Sequence, residues 1–362
     1  MTTKKTYLLT ALLGLFTANA QAGEEVRIYN WSDYIDQNSV AEFEKETGIK
    51  VIYDVYDSND ILEAKLLAGN SGYDIVFPSA NFMSRQIKAG VFQPLQKDKL
   101  TNKKHIWEFI ADKVKPFDPD NKYSINYMWG TTALGINEAK IKEVAPDAPL
   151  DSWEMLFNPK YAEKIAKCGI YVLDTTDEMV PAALNYQGKD PNSHDMKDLK
   201  GFTKALEPVR PYIKKFSNSD FIDGLANGDI CLAVGYSGDV IQAAGRADEA
   251  KNGVKVKYVI PKEGAKLWFD QMAILADAPN VDNAHKFIDY MLKPEVIAKS
   301  SDYVFYANGN KDAREFMDKA VTGDPAIYPD EATMKKLYVN TTYTPRQQKT
   351  ITRLWTKFKA SK

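Results

Sequence analysis

The chain has 362 residues, 44% hydrophobic and 27% charged, with a formal net charge of −2. That near-neutral balance excludes the basic field that a nucleic-acid binder needs. Two cysteines are too few for a disulfide framework, and the three histidines, His105, His194 and His285, lack metal-ligand spacing.

Residues 1–22 read as an export signal. Lys4 and Lys5 form a positive start, Tyr7 to Ala18 is an apolar run too short to span a bilayer, and Ala20-Gln21-Ala22 is an A-x-A cleavage pattern. Cleavage near Ala22 leaves 340 residues (362 minus 22) and a net charge of −4 once Lys4 and Lys5 leave. That length predicts two domains. No cysteine follows the cleavage point, so no lipid anchor is expected, and no later segment is apolar enough to cross a membrane.

Val26-Arg27-Ile28-Tyr29 alternates as a first strand. Trp31-Ser32-Asp33-Tyr34 follows it: two aromatic faces, a hydroxyl and a carboxylate in four residues, suited to a small organic cation. Ser39-Val40-Ala41-Glu42 reads as a capping box, with Gly48 closing the helix. Val51, Tyr53 and Val55 alternate as a second strand, and a helix from Asp57-Ser58-Asn59-Asp60 runs to Gly69. Tyr73 to Pro78 is expected as a third strand, with Ser79 beyond its carboxyl end. This β-α-β-α-β order predicts a parallel sheet flanked by helices. Ligands bind past the carboxyl ends of such strands.

Residues 95–127 read as charged and irregular, and Tyr127 to Asn137 as an extended crossover between two lobes. Gly169 to Asp174 is a strand leading to Thr175-Thr176-Asp177-Glu178, a helix start with two acids. Ile230 to Val234 is a buried strand leading to Gly235-Tyr236-Ser237-Gly238-Asp239. That loop resembles a nucleophile elbow, but Asp239 stands in the place of the second glycine and no histidine partner is evident. Val254 to Ile260 alternates as a strand, Trp268 precedes Asp270, and Tyr306 follows a strand-like apolar run. Thr344-Pro345-Arg346-Gln347 opens a C-terminal amphipathic helix whose apolar side carries Ile351, Leu354, Trp355 and Phe358, read as packed against the protein.

An aromatic beside an acid therefore recurs at loop after loop, at Trp31, Asp33 and Tyr34, at Tyr236 and Asp239, and at Trp268 and Asp270, with Glu178 and Tyr306 in similar places. Rings attract a cation, and carboxylates accept charge-assisted hydrogen bonds from ammonium groups. Acids on both sides of a cleft imply a guest with more than one positive charge. Cys168 and Cys231 are compatible with two buried thiols or with a disulfide, which export favours. Such a bridge would close a loop of about 60 residues, worth roughly 4 kcal/mol on the chain-entropy model.

Y-N-W-S-D-Y-I, F-E-K-E-T-G-I-K-V, L-A-N-G-D-I-C, G-Y-S-G-D, I-P-K-E-G-A and W-T-K-F-K together resemble the periplasmic polyamine-binding proteins of ABC import systems, nearest their putrescine-binding branch. The resemblance spans the full length. It implies an α/β, two-lobe periplasmic solute-binding protein fold, each lobe a mostly parallel sheet flanked by helices, joined by a hinge. The lobes are expected at 23–127 plus 252–323 and at 128–251 plus 324–362. Trp31, Tyr34, Tyr236, Trp268 and Tyr306 would box the methylenes of the guest. Asp33, Glu178, Asp239 and Asp270 would hold its charged ends, with Ser32 and Ser79 as hydrogen-bond partners. The resemblance also implies a Cys168–Cys231 disulfide, an inner-membrane ABC permease as partner, a monomer, and a binding protein without catalytic residues, metal or cofactor. Putrescine is the expected guest; a spermidine-preferring or broad polyamine receptor and an exported amine-acting enzyme are the alternatives.

Overall fold

A computed structural model of the chain describes residues 24–361. The export signal of 1–22 lies outside them. Eleven strands make one connected sheet: β1 Glu25–Trp31, β2 Lys50–Tyr56, β3 Ile75–Val76, β4 Ser124–Ile136, β5 Ile170–Val172, β6 Lys215–Phe216, β7 Leu232–Tyr236, β8 Lys257–Val259, β9 Lys266–Ile274, β10 Ala307–Asn308 and β11 Tyr338–Val339. The main order is β2-β1-β3-β9-β4-β7-β5-β6. At one end β1 runs parallel to β2 and β3; at the other, β5 runs parallel to β7 and β6. The two strands between, β9 and β4, are antiparallel to each other and to their outer neighbours.

Two large apolar cores flank this midline. Phe43, Phe77, Tyr127, Phe269 and Phe287 sit in one, and Trp153, Phe202, Phe221, Leu232 and Trp355 in the other. All 13 residues of β4 are buried, and the strand passes from the first core, through Trp129, to the second, from Leu134. The extended crossover expected near Tyr127–Asn137 is thus a single long strand shared by both lobes. The fold is the mixed α/β, two-lobe one expected, with antiparallel strands where the lobes join. Val256, Tyr258 and Val259 pack on the second core and Ile327 to Val339 on the first, on the opposite sides from those expected for 252–323 and 324–362.

Local chemistry corrects several boundaries. The first helix, Gln37–Thr47, is capped not by Ser39 but by Asp36, whose carboxylate accepts from the amides of Asn38 and Ser39. An acid three residues upstream takes the cap position, and the Ser39 hydroxyl, now buried, donates to it at 2.7 Å. The third strand shrinks to two residues because side chains claim the backbone at its end: the Phe77 carbonyl accepts from Trp31 Nε1 at 2.9 Å and Tyr56 Oη at 2.7 Å. Tyr306 follows a helix, Pro294–Val304, rather than a strand, and Phe305 ends that helix at φ 57°. Residues 95–127 contain a short helix, Glu108–Val114. The C-terminal helix, Pro345–Ala360, carries the expected Thr344–Gln347 capping box and buries Ile351, Trp355 and Phe358. Cys168 and Cys231 are disulfide-bonded with Cα atoms 5.5 Å apart. Among the described residues no helix is long and apolar enough to cross a membrane, and no group of three or more His, Cys, Asp or Glu residues could hold a metal ion.

Candidate functional site

The sheet delivers its loops to one cavity of about 280 Å³ between the two cores. All of Trp31, Ser32, Asp33, Tyr34, Ser79, Glu178, Tyr236, Asp239, Trp268, Asp270 and Tyr306 line it. Three come from the turn after β1, where Asp33 adopts a left-handed φ of 52°, a conformation aspartate tolerates better than most residues. Ser79 opens the helix Ala80–Lys88. Glu178 and Asp239 stand in the first turns of the helices Thr176–Tyr186 and Ser237–Ala250, where the helix dipole favours a carboxylate. In β9 the period of two sets Lys266, Trp268 and Asp270 along one face of the strand.

Two acid poles result. At one, Asp270 is buried, its oxygens accepting from Ser79 Oγ at 2.6 Å and Tyr34 Oη at 2.9 Å. Burial lifts its carboxyl to about 7, against the lowering effect of those two hydrogen bonds and of Lys266. At the other, Asp239 accepts from Tyr306 Oη at 2.7 Å, and burial lifts its carboxyl to about 6, with the Asp33 charge adding to the rise. Rings stand between the poles. Trp268 meets Tyr306 edge-on at 5.0 Å and Tyr236 at 6.2 Å, and Tyr34 meets Tyr306 at 5.7 Å. Trp31 packs on Tyr56 at 4.7 Å, anchored by its indole N–H.

Not every expected contact is free for a guest. Ser32 is exposed and donates to Asp57 at 2.9 Å. Glu178 is ion-paired inside the protein with Lys266, and its second oxygen is buried with no partner. Other lining residues escaped the sequence reading. Asn59 donates to Ser79 Oγ at 2.9 Å, so it aligns the hydroxyl that holds Asp270. Asn81 reaches across the cleft to donate to Asp177 at 2.7 Å. The run Asp57-Ser58-Asn59-Asp60 and the pair Asp177-Glu178 signalled these positions, but only as helix starts. In all, eight acids and two cations, Arg246 and Lys266, line the cavity, a field suited to a cationic guest.

A two-lobe α/β fold with an acidic, aromatic cleft between the lobes is the architecture of a binding protein for a small solute. The chain belongs to the family described as bacterial extracellular solute-binding proteins, whose pattern matches residues 38–329. It is 50% identical over 339 residues to the putrescine-binding periplasmic protein PotF of Escherichia coli, covering 93% of this chain and 92% of that one. It is 47% identical over 361 residues to the putrescine-binding periplasmic protein SpuD of Pseudomonas aeruginosa, covering 99% and 98%. Its structure resembles that of the spermidine/putrescine ABC transporter substrate-binding protein PotD from Streptococcus pneumoniae, with a TM-score of 0.78, 31% identity, and 93% and 98% of the two chains covered. These relatives and this fold are those of substrate-binding transport proteins, not of enzymes.

Proposed function

We propose that this protein captures a polyamine, putrescine before others, between its lobes and delivers it to an inner-membrane ABC permease. The observation that carries the reading is the cavity lining: two carboxylate poles separated by aromatic rings, within an excess of acids over cations. Putrescine is a dication whose nitrogens lie roughly 6 Å apart when extended. Asp270 takes one ammonium, and Asp239 with Asp33 takes the other. Trp31, Tyr34, Tyr236, Trp268 and Tyr306 enclose the methylenes, whose burial contributes on the order of 3 kcal/mol. Ser79 acts through Asp270, Ser32 is turned to Asp57, and Glu178 is held by Lys266.

The export signal at 1–22 and the periplasmic relatives support a periplasmic location after cleavage near Ala22. Core membership supports a division in which β4 is the hinge strand, and hinge closure would give the permease a new surface to read. The protein acts as a monomer in this reading. A second reading, a receptor that also takes spermidine, is favoured by relatives whose names carry both amines. Titration calorimetry of the mature protein with putrescine, cadaverine and spermidine tests both. Binding tightest for putrescine is expected, comparable affinities would support the second reading, and no heat with any amine would end the polyamine assignment.

A further inference from the structure

The cavity holds two cations of very different kind. Arg246 is exposed and paired with Asp223 outside the site. Lys266 has a side chain only 6% exposed, and its Nζ is paired with Glu178, itself 7% exposed. A lysine inside a pocket made for ammonium groups is an unexpected choice. Its backbone is fixed, since Lys266 begins β9 with Thr132 as its partner on one side and Tyr338 on the other. Its Nζ also approaches the Asp177 carbonyl at 3.5 Å, so the ammonium sits over the start of the helix Thr176–Tyr186.

We propose that Lys266 is a specificity-determining residue: from within the chain its ammonium fills the place at Glu178 where the third charge of a longer polyamine would be held. The inference rests on the polyamine reading above. A buried carboxylate needs a compensating cation, and without Lys266 that cation would have to come from the guest. With Lys266 in place, a third ammonium approaching Glu178 meets a neutral pair and the repulsion of the lysine itself. The free oxygen of Glu178 offers a hydrogen bond but no uncompensated charge. Among the acids that line the cavity only Glu178 and Asp270 are buried, so with Glu178 paired the poles of Asp270 and of Asp239 with Asp33 are left for the two ends of a diamine. Lys266 also lies near enough to Asp270 to favour its ionised form, so the same residue that blocks one subsite keeps another ready.

Calorimetry with putrescine and spermidine on the wild type, Lys266→Met and Lys266→Arg tests the idea. In Lys266→Met the spermidine-to-putrescine affinity ratio is expected to rise at least fivefold, and in Lys266→Arg to stay at the wild-type ratio. A smaller rise in Lys266→Met, in a protein whose wild type binds putrescine, overturns the proposal. A wild type that binds neither amine defeats the polyamine reading instead. Should Lys266→Met fail to fold, Lys266→Gln, which can still hydrogen-bond Glu178 but carries no charge, takes its place: the same fivefold rise in the spermidine-to-putrescine ratio is expected, and a smaller one overturns the proposal.

Discussion

Asp270 and Asp239 are costly residues for an empty cavity. Burial holds the first carboxyl near 7 and the second near 6, well above the ordinary aspartate range, so the folded chain binds their protons more tightly than the unfolded chain does. The ligand-free protein is therefore expected to gain stability as pH falls from 8 towards 5, its Tm rising by a few degrees, and to lose that gain as pH rises through 6 and 7. Diamine binding should run the other way, because an ammonium needs the ionised carboxylate. Affinity for putrescine is expected to drop at least tenfold between pH 8 and pH 5, and Asp270→Asn to weaken binding at least tenfold at pH 8 while flattening both trends. Scanning calorimetry and titrations across pH read this directly, and an Asp270→Asn protein with wild-type affinity would remove that carboxylate from the site. At this scale residue types were legible from the chain: an acid beside a ring can be seen in W-S-D-Y, at a strand end, and in L-W-F-D, which lies within β9. What each acid is paired with was not. The Lys266–Glu178 ion pair joins residues 88 positions apart and the Asn81–Asp177 bond residues 96 apart, and such pairings exist only after the sheet has formed.

At the scale of elements, the site depends on how closely two helices approach. Gly238 lies in the first turn of the helix Ser237–Ala250, and a Cβ there would stand 2.7 Å from the Tyr306 ring and closer still to the Val304 carbonyl. Only glycine lets this helix start settle against the end of Pro294–Val304, which brings Asp239 to Tyr306. Gly238→Ala should favour the helix itself by about 1 kcal/mol, yet it must move Tyr306 away from Asp239. The expected outcome is at least a tenfold loss of putrescine affinity with secondary structure intact by circular dichroism; unchanged affinity would show that the contact is slack. Helix types and most strands could be read from periodicity and caps, as the Thr344–Gln347 box illustrates. The failures came where two chemistries competed locally. Asp36 outbid Ser39 for a cap, Phe305 closed a helix in a left-handed conformation that bulky residues rarely adopt, and the short third strand gave its carbonyl to Trp31 and Tyr56. Gly238 itself is invisible as a packing residue until Val304, 66 positions on, lies against it.

The whole molecule divides its stability unequally. Cys168 and Cys231 both belong to the second core, and their bridge spans a sequence separation of 63. On the chain-entropy model such a crosslink contributes about 4 kcal/mol, all of it to one lobe. The binding cavity, by contrast, takes lining from both cores, with Trp31, Ser79 and Tyr306 from one side and Glu178 and Asp239 from the other. A guest bound there stabilises both lobes together, by about 2.7 kcal/mol at a hundredfold excess over its Kd. The double variant Cys168→Ser, Cys231→Ser is therefore expected to unfold at lower temperature than wild type, with the second lobe melting first in the absence of amine. Its putrescine Kd at 25 °C should stay within twofold of wild type, because neither cysteine lines the cavity. Saturating putrescine should raise its Tm and draw the two lobes back into one transition, since the guest couples what the bridge does not. Scanning calorimetry of wild type and variant, with and without amine, decides the matter. A variant that melts in one step without ligand would show that β4, the long strand the lobes share, already binds the halves into one cooperative unit.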